Sequence, residues 1–262
     1  MNHLLEVCLA ALALTTAISP PVAAQSSVVR ARSSIAGTWE ERLNFAEPDA
    51  TGRAAQAMQK GISVELPVTS NAVPMPDADQ QDSLIVSVTD DGSVYFGVNP
   101  IIASALADKV KASLSNRSQK KLYIKADART PYANVVKVLN ALRTAGVAAP
   151  NLLTTQRDSL EPGILVPPKG LEVLIGPPLP TGSEATVVQV LNSGQRWPTL
   201  EVNNEHIPWT SLQGTLRQVF HNRSERVALV KAEGSLPFAD VVAVTDTCRS
   251  TGANVVLVTQ GQ

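Results

Sequence analysis

Apolar residues recur in one order twice along this chain. Leu122–Ala126 is a short apolar run rich in β-formers, which predicts a strand. Thr130 and Pro131 then read as a helix N-cap followed by proline at the first helical position. Tyr132, Val135, Val136, Leu139 and Leu142 follow at the spacing of one helical face. Gly146 offers a left-handed stop, and Leu152–Thr155 predicts a return strand. The same order returns over 226–260, at a constant offset of 106 residues from Lys125 to Lys231. Lys125, Ala126, Pro131, Ala133, Val135, Val136, Val138, Arg143 and Gly146 recur as Lys231, Ala232, Pro237, Ala239, Val241, Val242, Val244, Arg249 and Gly252. Those nine identities in 22 gap-free positions argue for duplication, and a period this long is that of a domain rather than of a solenoid. A strand–helix–strand crossover of this length implies parallel strands.

The flanking patterns extend both copies. Ile62–Leu66 predicts a strand, Leu84–Thr89 and Val94–Val98 a hairpin around Asp91-Gly92, and 100–114 a helix with Ile102, Leu106, Val110 and Leu114 on one face. In the second copy Leu171–Ile175 stands for the first strand. Thr186–Leu191 and Thr199–Val202 stand for the hairpin, with Asn203-Asn204 as a turn, and Leu212, Leu216 and Phe220 for the helix face. The predicted fold class is α+β: two tandem domains, each a mixed β-sheet with two helices packed on one face. The second copy has drifted, with Thr245 in the place of Leu139 and Cys248 in that of Leu142; Trp197 and Trp209 are expected to fill part of the space released.

Composition places the chain among globular proteins, because 44% of its residues are hydrophobic and only 17% charged. A net charge of -1 gives no electrostatic reason to bind nucleic acid. Val7–Ile18 is an apolar run too short for a comfortable membrane span, and Val22-Ala23-Ala24 offers a cleavage site, so residues 1–24 read as a signal peptide, with a membrane anchor as the alternative. Residues 25–60 read as a linker, 61–156 as the first domain, 157–169 as a proline-bearing linker and 170–262 as the diverged second domain. Removal of Cys8 with the signal leaves Cys248 alone, on an apolar helix face, as a small buried hydrophobe.

No pattern in the sequence carries catalysis. His3, His206 and His221 lack metal-ligand spacing, and HExxH, CxxC, GxSxG, P-loop and GxGxxG are all missing. Asp77, Asp79, Asp82, Asp90 and Asp91 lack EF-hand spacing. The candidates for partner contact are Lys125 with Asp127, Lys231 with Glu233, Pro131 with Tyr132, and Pro237 with Phe238, because both copies keep them. Their structural alternative is a strand-end salt bridge followed by a helix start with an inward aromatic.

A strand ending Lys125-Ala126-Asp127, then Pro131-Tyr132, a Val135-Val136 helix closed by Ala145-Gly146-Val147, and a strand resembles the periplasmic domain of the ExbD/TolR biopolymer transport family. Gly61–Pro67 resembles the segment that opens that domain, and Asp91–Tyr95 its early hairpin. The resemblance implies a non-enzymatic component of TonB/Tol-type energy transduction, without a cofactor, in the periplasm or envelope of a Gram-negative bacterium. Its implied partners are ExbB/TolQ-like and TonB/TolA-like proteins, with peptidoglycan as a further one. Family members carry a membrane helix with an embedded aspartate; the one apolar run before Gly61 has only Glu6, at its start, which counts against proton coupling. The alternative is a soluble periplasmic module that binds peptidoglycan or protein, independent of any motor. Domains of this family pair, and a linker of roughly 40 Å reach makes the pairing of the two copies intramolecular.

Overall fold

The computed structural model describes residues 61–115, 117, 121–156, 168–176 and 185–259. The predicted signal peptide and first linker lie outside the described residues, as does nearly all of the second linker. In chain order the elements are β1 (Val68–Thr69), β2 (Val73–Pro74), β3 (Leu84–Val88), β4 (Val94–Phe96), β5 (Asn99–Pro100), α1 (Ala103–Ser115), β6 (Leu122–Ala126), α2 (Tyr132–Thr144) and β7 (Asn151–Gln156). There follow β8 (Lys169–Glu172), β9 (Leu174–Gly176), β10 (Thr186–Leu191), β11 (Thr199–Val202), β12 (Glu205–Ile207), α3 (Leu212–Phe220), β13 (Val227–Ala232), α4 (Phe238–Ser250) and β14 (Asn254–Val258).

These strands form two mixed sheets. The first runs β2-β8-β7-β6-β3-β4-β5, with β1 paired parallel to β7; the second runs β12-β11-β10-β13-β14-β9. At the centre of each sheet the strands are parallel (β3–β6–β7 and β10–β13–β14), as the two crossovers require, and each hairpin adds antiparallel strands. The architecture is α+β, with two helices in each half.

The helices follow the apolar spacing. Leu106, Val110 and Leu114 bury one face of α1, and Tyr132, Val135, Val136, Leu139 and Leu142 one face of α2. Gly146 ends α2 at φ 85°, where the N–H of Val147 reaches the carbonyl of Leu142 (2.9 Å) and that of Gly146 the carbonyl of Arg143 (3.0 Å). That pair of hydrogen bonds satisfies two orphan carbonyls and needs a residue without Cβ strain at the turn. Asn203 and Asn204 both have positive φ, which makes a primed two-residue turn leading into β12, a strand the pattern had not predicted.

Four expectations are corrected. Ile62–Leu66 is not a strand: the Glu65 carbonyl accepts from Ala128 N–H (2.7 Å) and the Pro67 carbonyl from Thr155 N–H (2.9 Å), so the segment crosses the strand ends instead of pairing along one. Ile102 is 71% exposed because the helix begins one residue after it. Leu171–Ile175 is divided: β8 pairs antiparallel with β7 in the first sheet and β9 parallel with β14 in the second. Trp197 is 60% exposed and fills no core space; Trp209 is the one that packs against the core.

Burial differs between the sheets for a local reason. Both faces of β3 and β6 are buried, because Leu66, Met75 and Ala78 of the preceding segment cover Ile85, Tyr123 and Leu153. In the second sheet β10 and β11 keep the alternation of a strand covered on one face. The opposite, helix-covered faces of both halves share one contiguous core.

Cys248 is fully buried in that core, and burial pushes its thiol up to about 12. The native protein should therefore label slowly with a thiol reagent at neutral pH and the denatured protein quickly; equal rates would place Cys248 at the surface. The raised value also sets a pH dependence. Above the usual thiol range the unfolded chain loses this proton and the folded chain keeps it. Stability is then fully present below about pH 8.5 and falls as pH rises toward 12, by up to about 1.4 kcal/mol per pH unit from this group.

Candidate functional site

The residues that the repeat singles out converge on one place, the starts of α2 and α4. Pro131 and Pro237 form an antiparallel bridge there. Neither helix has a side-chain cap, although Thr130 was predicted to supply one. Each helix start is satisfied by the loop of the other half. Tyr132 N–H donates to the Leu236 carbonyl (2.8 Å) and Ala133 N–H to the Gly234 carbonyl (2.9 Å). In return Phe238 N–H donates to the Thr130 carbonyl and Ala239 N–H to the Ala128 carbonyl, both at 2.9 Å. The two pairs are related by the same offset of 106 residues, so these bonds obey an approximate twofold relation. They occupy donors that would otherwise be orphans at a helix start.

Around this junction the two copies differ. Lys125 and Asp127 are buried at 2% and 3% exposure, whereas Lys231 and Glu233 are exposed. Asp127, expected to pair with Lys125, takes Arg129 as its ion-pair partner (Nε 3.0 Å, Nη2 3.2 Å) and accepts from the backbone N–H groups of Glu65 (3.1 Å) and Arg129 (3.0 Å). Burial alone would raise this carboxyl, but the bonds from Arg129 and Glu65 outweigh it and hold it below the usual carboxylate range. The stabilisation from Asp127 is therefore complete above the unfolded value near pH 4 and is lost as pH falls through the lower folded value. Arg129 also lies near Asp90 (3.6 Å) and Glu65 (3.8 Å). In the second copy Ser235 stands in its place, and Glu233 accepts from the backbone N–H of Asn192 (3.0 Å).

Tyr132 and Phe238, at 0% and 1% exposure, anchor the junction from within. The Tyr132 hydroxyl finds no hydrogen-bond partner among the described residues, and burial raises its pKa. An unpaired buried hydroxyl costs about 1–3 kcal/mol. Tyr132→Phe, which copies the residue of the second half, should accordingly raise stability by about 1 kcal/mol in thermal melts; a loss instead would show that the hydroxyl is satisfied in solution.

A second set of bonds across the halves had no signal in the repeat. Asp246 on α4, 7% exposed, accepts from the backbone N–H groups of Ser70 (2.8 Å) and Asn71 (3.0 Å) and from the Asn71 side chain (3.1 Å). Its counterpart Asn140 on α2 donates to the Thr259 carbonyl (3.3 Å). Arg249 donates to the Glu172 carbonyl of β8 (2.8 Å). A carboxylate on a helix face that is otherwise small or apolar is the one sequence feature that could have drawn attention to Asp246.

The first half, with the crossing segment, the buried Lys125 and Asp127 and the strand–helix–strand core, matches known proteins. The family model for biopolymer transport protein ExbD/TolR matches residues 53–157. Over those residues the chain is similar to an ExbD/TolR domain. A curated relative, the Tol-Pal system protein TolR of Pseudomonas aeruginosa, is 28% identical over 111 residues, which cover 38% of this chain and 75% of that protein. The ExbD/TolR match includes Lys125, Asp127, Pro131 and Tyr132; Lys231, Glu233, Pro237 and Phe238 lie beyond it. Among the described residues no helix is long and apolar enough to cross a membrane, and no group of three or more His, Cys, Asp or Glu is placed to hold a metal ion.

Proposed function

We propose that this protein is a non-enzymatic component of an envelope biopolymer transport system of the TonB/Tol type, acting through binding by its folded halves. The ExbD/TolR match over residues 53–157 carries this reading. On it, the second half is a diverged copy that occupies the pairing face of the first, so that one chain supplies a built-in pair. The reciprocal bonds between the two helix starts support that part. With Tyr132 and Phe238 spent on holding the halves together, and Asp127 on Arg129 and Glu65 within the first half, a partner meets the exposed surfaces around them. An ExbB/TolQ-like membrane protein or a TonB/TolA-like protein is the partner this reading calls for, in the periplasm or at the inner membrane.

The test is affinity purification of the full chain from envelopes of the native organism after crosslinking. Recovery of an ExbB/TolQ-like or TonB/TolA-like protein supports the proposal. Recovery of peptidoglycan fragments with neither protein would favour a binding module that works apart from any motor. Scattering from the same protein should be that of a compact particle at every concentration, and a concentration-dependent dimer would refute the built-in pair.

A further inference from the structure

We propose that the open edge of the second sheet at β12, with the tryptophan pair beside it, is a docking site for an extended, basic peptide segment of a partner protein, which adds to the sheet as a further strand. This surface lies outside the ExbD/TolR match, so its test stands apart from the functional reading above.

Three observations carry the proposal. The first is the state of the edge strands. Both edges of the first sheet end in a proline-bearing strand, Val73–Pro74 and Asn99–Pro100, which limits addition of a further strand. Neither edge strand of the second sheet, β12 or β9, holds a proline, and of the two β12 is the one beside the tryptophans. Its two-residue turn makes Val202 and Glu205 the hydrogen-bonded closing pair, so the Glu201–His206 pair is of the non-hydrogen-bonded kind. The backbone N–H and C=O of His206 therefore face the open edge.

The second observation is an aromatic anchor at the Ile207 end of that strand. Trp209 donates its indole N–H to the Pro198 carbonyl (2.8 Å), which fixes it against the start of β11. Trp197 lies 6.0 Å from it, centroid to centroid, tilted by 55°, and is 60% exposed. Arg196 is placed over the Trp197 ring at 5.6 Å. The loop that presents Trp197 is braced from within: Ser193 donates to the Trp197 carbonyl (2.7 Å), and Gly194 N–H reaches the Asn192 side chain (2.9 Å). A large aromatic held in water by a rigid loop, next to an arginine, has the make-up of an interface hot spot. The matching turn of the first half, around Asp91-Gly92, has no aromatic.

Charge is the third observation, and it selects the occupant. Along the edge itself, from Thr199 to Trp209, the chain carries Glu201 and Glu205 and no Lys or Arg; Arg196, at the Trp197 ring, is the cation next to it. Strand addition takes affinity from main-chain bonds and specificity from side-chain contacts, so a strand with Lys or Arg toward these carboxylates and an apolar residue toward the tryptophans fits best.

The experiment is selection of a phage-displayed random peptide library on the full chain, with binding of the enriched peptides followed by tryptophan fluorescence. Enrichment of basic peptides that alternate β-branched or aromatic residues is expected. Trp197→Ala should weaken them by about 30-fold, and His206→Pro by a similar factor, since the proline removes the outward N–H and leaves the β11 ladder intact. Should the proline variant fail to fold, Glu205→Lys serves instead and should weaken basic peptides by about tenfold, with the wild-type affinity falling as salt rises. Val98→Ala, on the exposed surface of the other half, should change nothing. Peptides indifferent to Trp197 and His206 would overturn the proposal. So would a fluorescence change with soluble glycan chains but not with peptides, or a dimer of the chain that His206→Pro dissolves.

Discussion

Phe238→Ala should lower the stability of the whole molecule by about 3–5 kcal/mol, the cost of a large-to-small change at a fully buried aromatic. Phe238 is 1% exposed, belongs to the core that both halves share, and opens α4 with its N–H on the Thr130 carbonyl. A cavity at this point loosens both the helix start and the junction. The halves are coupled by four backbone bonds at the helix starts and by that common core, so unfolding in urea should be one transition. Far-UV circular dichroism reports on both halves, and fluorescence of Trp209, packed against the core, reports on the second. Coincident curves for wild type and variant, with the midpoint shifted down and the slope unchanged, are the expected result. Two separated transitions, or a shift worth less than about 1 kcal/mol, would mean that the halves fold independently.

Asp246→Ala should cost about 2–4 kcal/mol, because it removes a charged acceptor from two backbone N–H groups and one side-chain amide. The damage should be local as well as global. Ser70 and Asn71 follow β1 directly, and β1 has only two residues in its ladder with β7. Hydrogen exchange of the 68–74 segment should therefore speed up more than that of α4 itself. Asp246→Asn keeps one acceptor and should lose about half as much. A variant that melts with wild type would show that Ser70 and Asn71 have other acceptors in solution.

Much of the fold was legible in the apolar spacing. Leu122–Ala126, the face of α2, the stop at Gly146 and the strand Thr186–Leu191 all follow from local period and propensity, and they lie where the sequence puts them. Three of the misses share one cause. Ile62–Leu66 has the composition of a strand, yet its carbonyls are taken by Ala128 and Thr155, partners far away in the chain. The apolar run Leu171–Ile175 has the pattern of one strand, but Val173 separates a piece that serves the first sheet from one that serves the second. Thr130 has the side chain of a cap, yet the helix start faces carbonyls of the other half, and those are met first.

By itself the sequence determined the two strand–helix–strand units, their parallel crossovers and the fact that the same residues mark both, since short-range periodicity and a 106-residue offset are properties of the chain. It also determined the resemblance of the first unit to ExbD/TolR. Only the tertiary structure decided what the shared residues do. Pro131 and Pro237 meet across the junction, Asp127 turns to Arg129, and Asp246 closes on a strand end of the other half. Those choices depend on which backbone groups remain unpaired once the sheets have formed. That is settled by distances between segments far apart in sequence, and no local pattern encodes them.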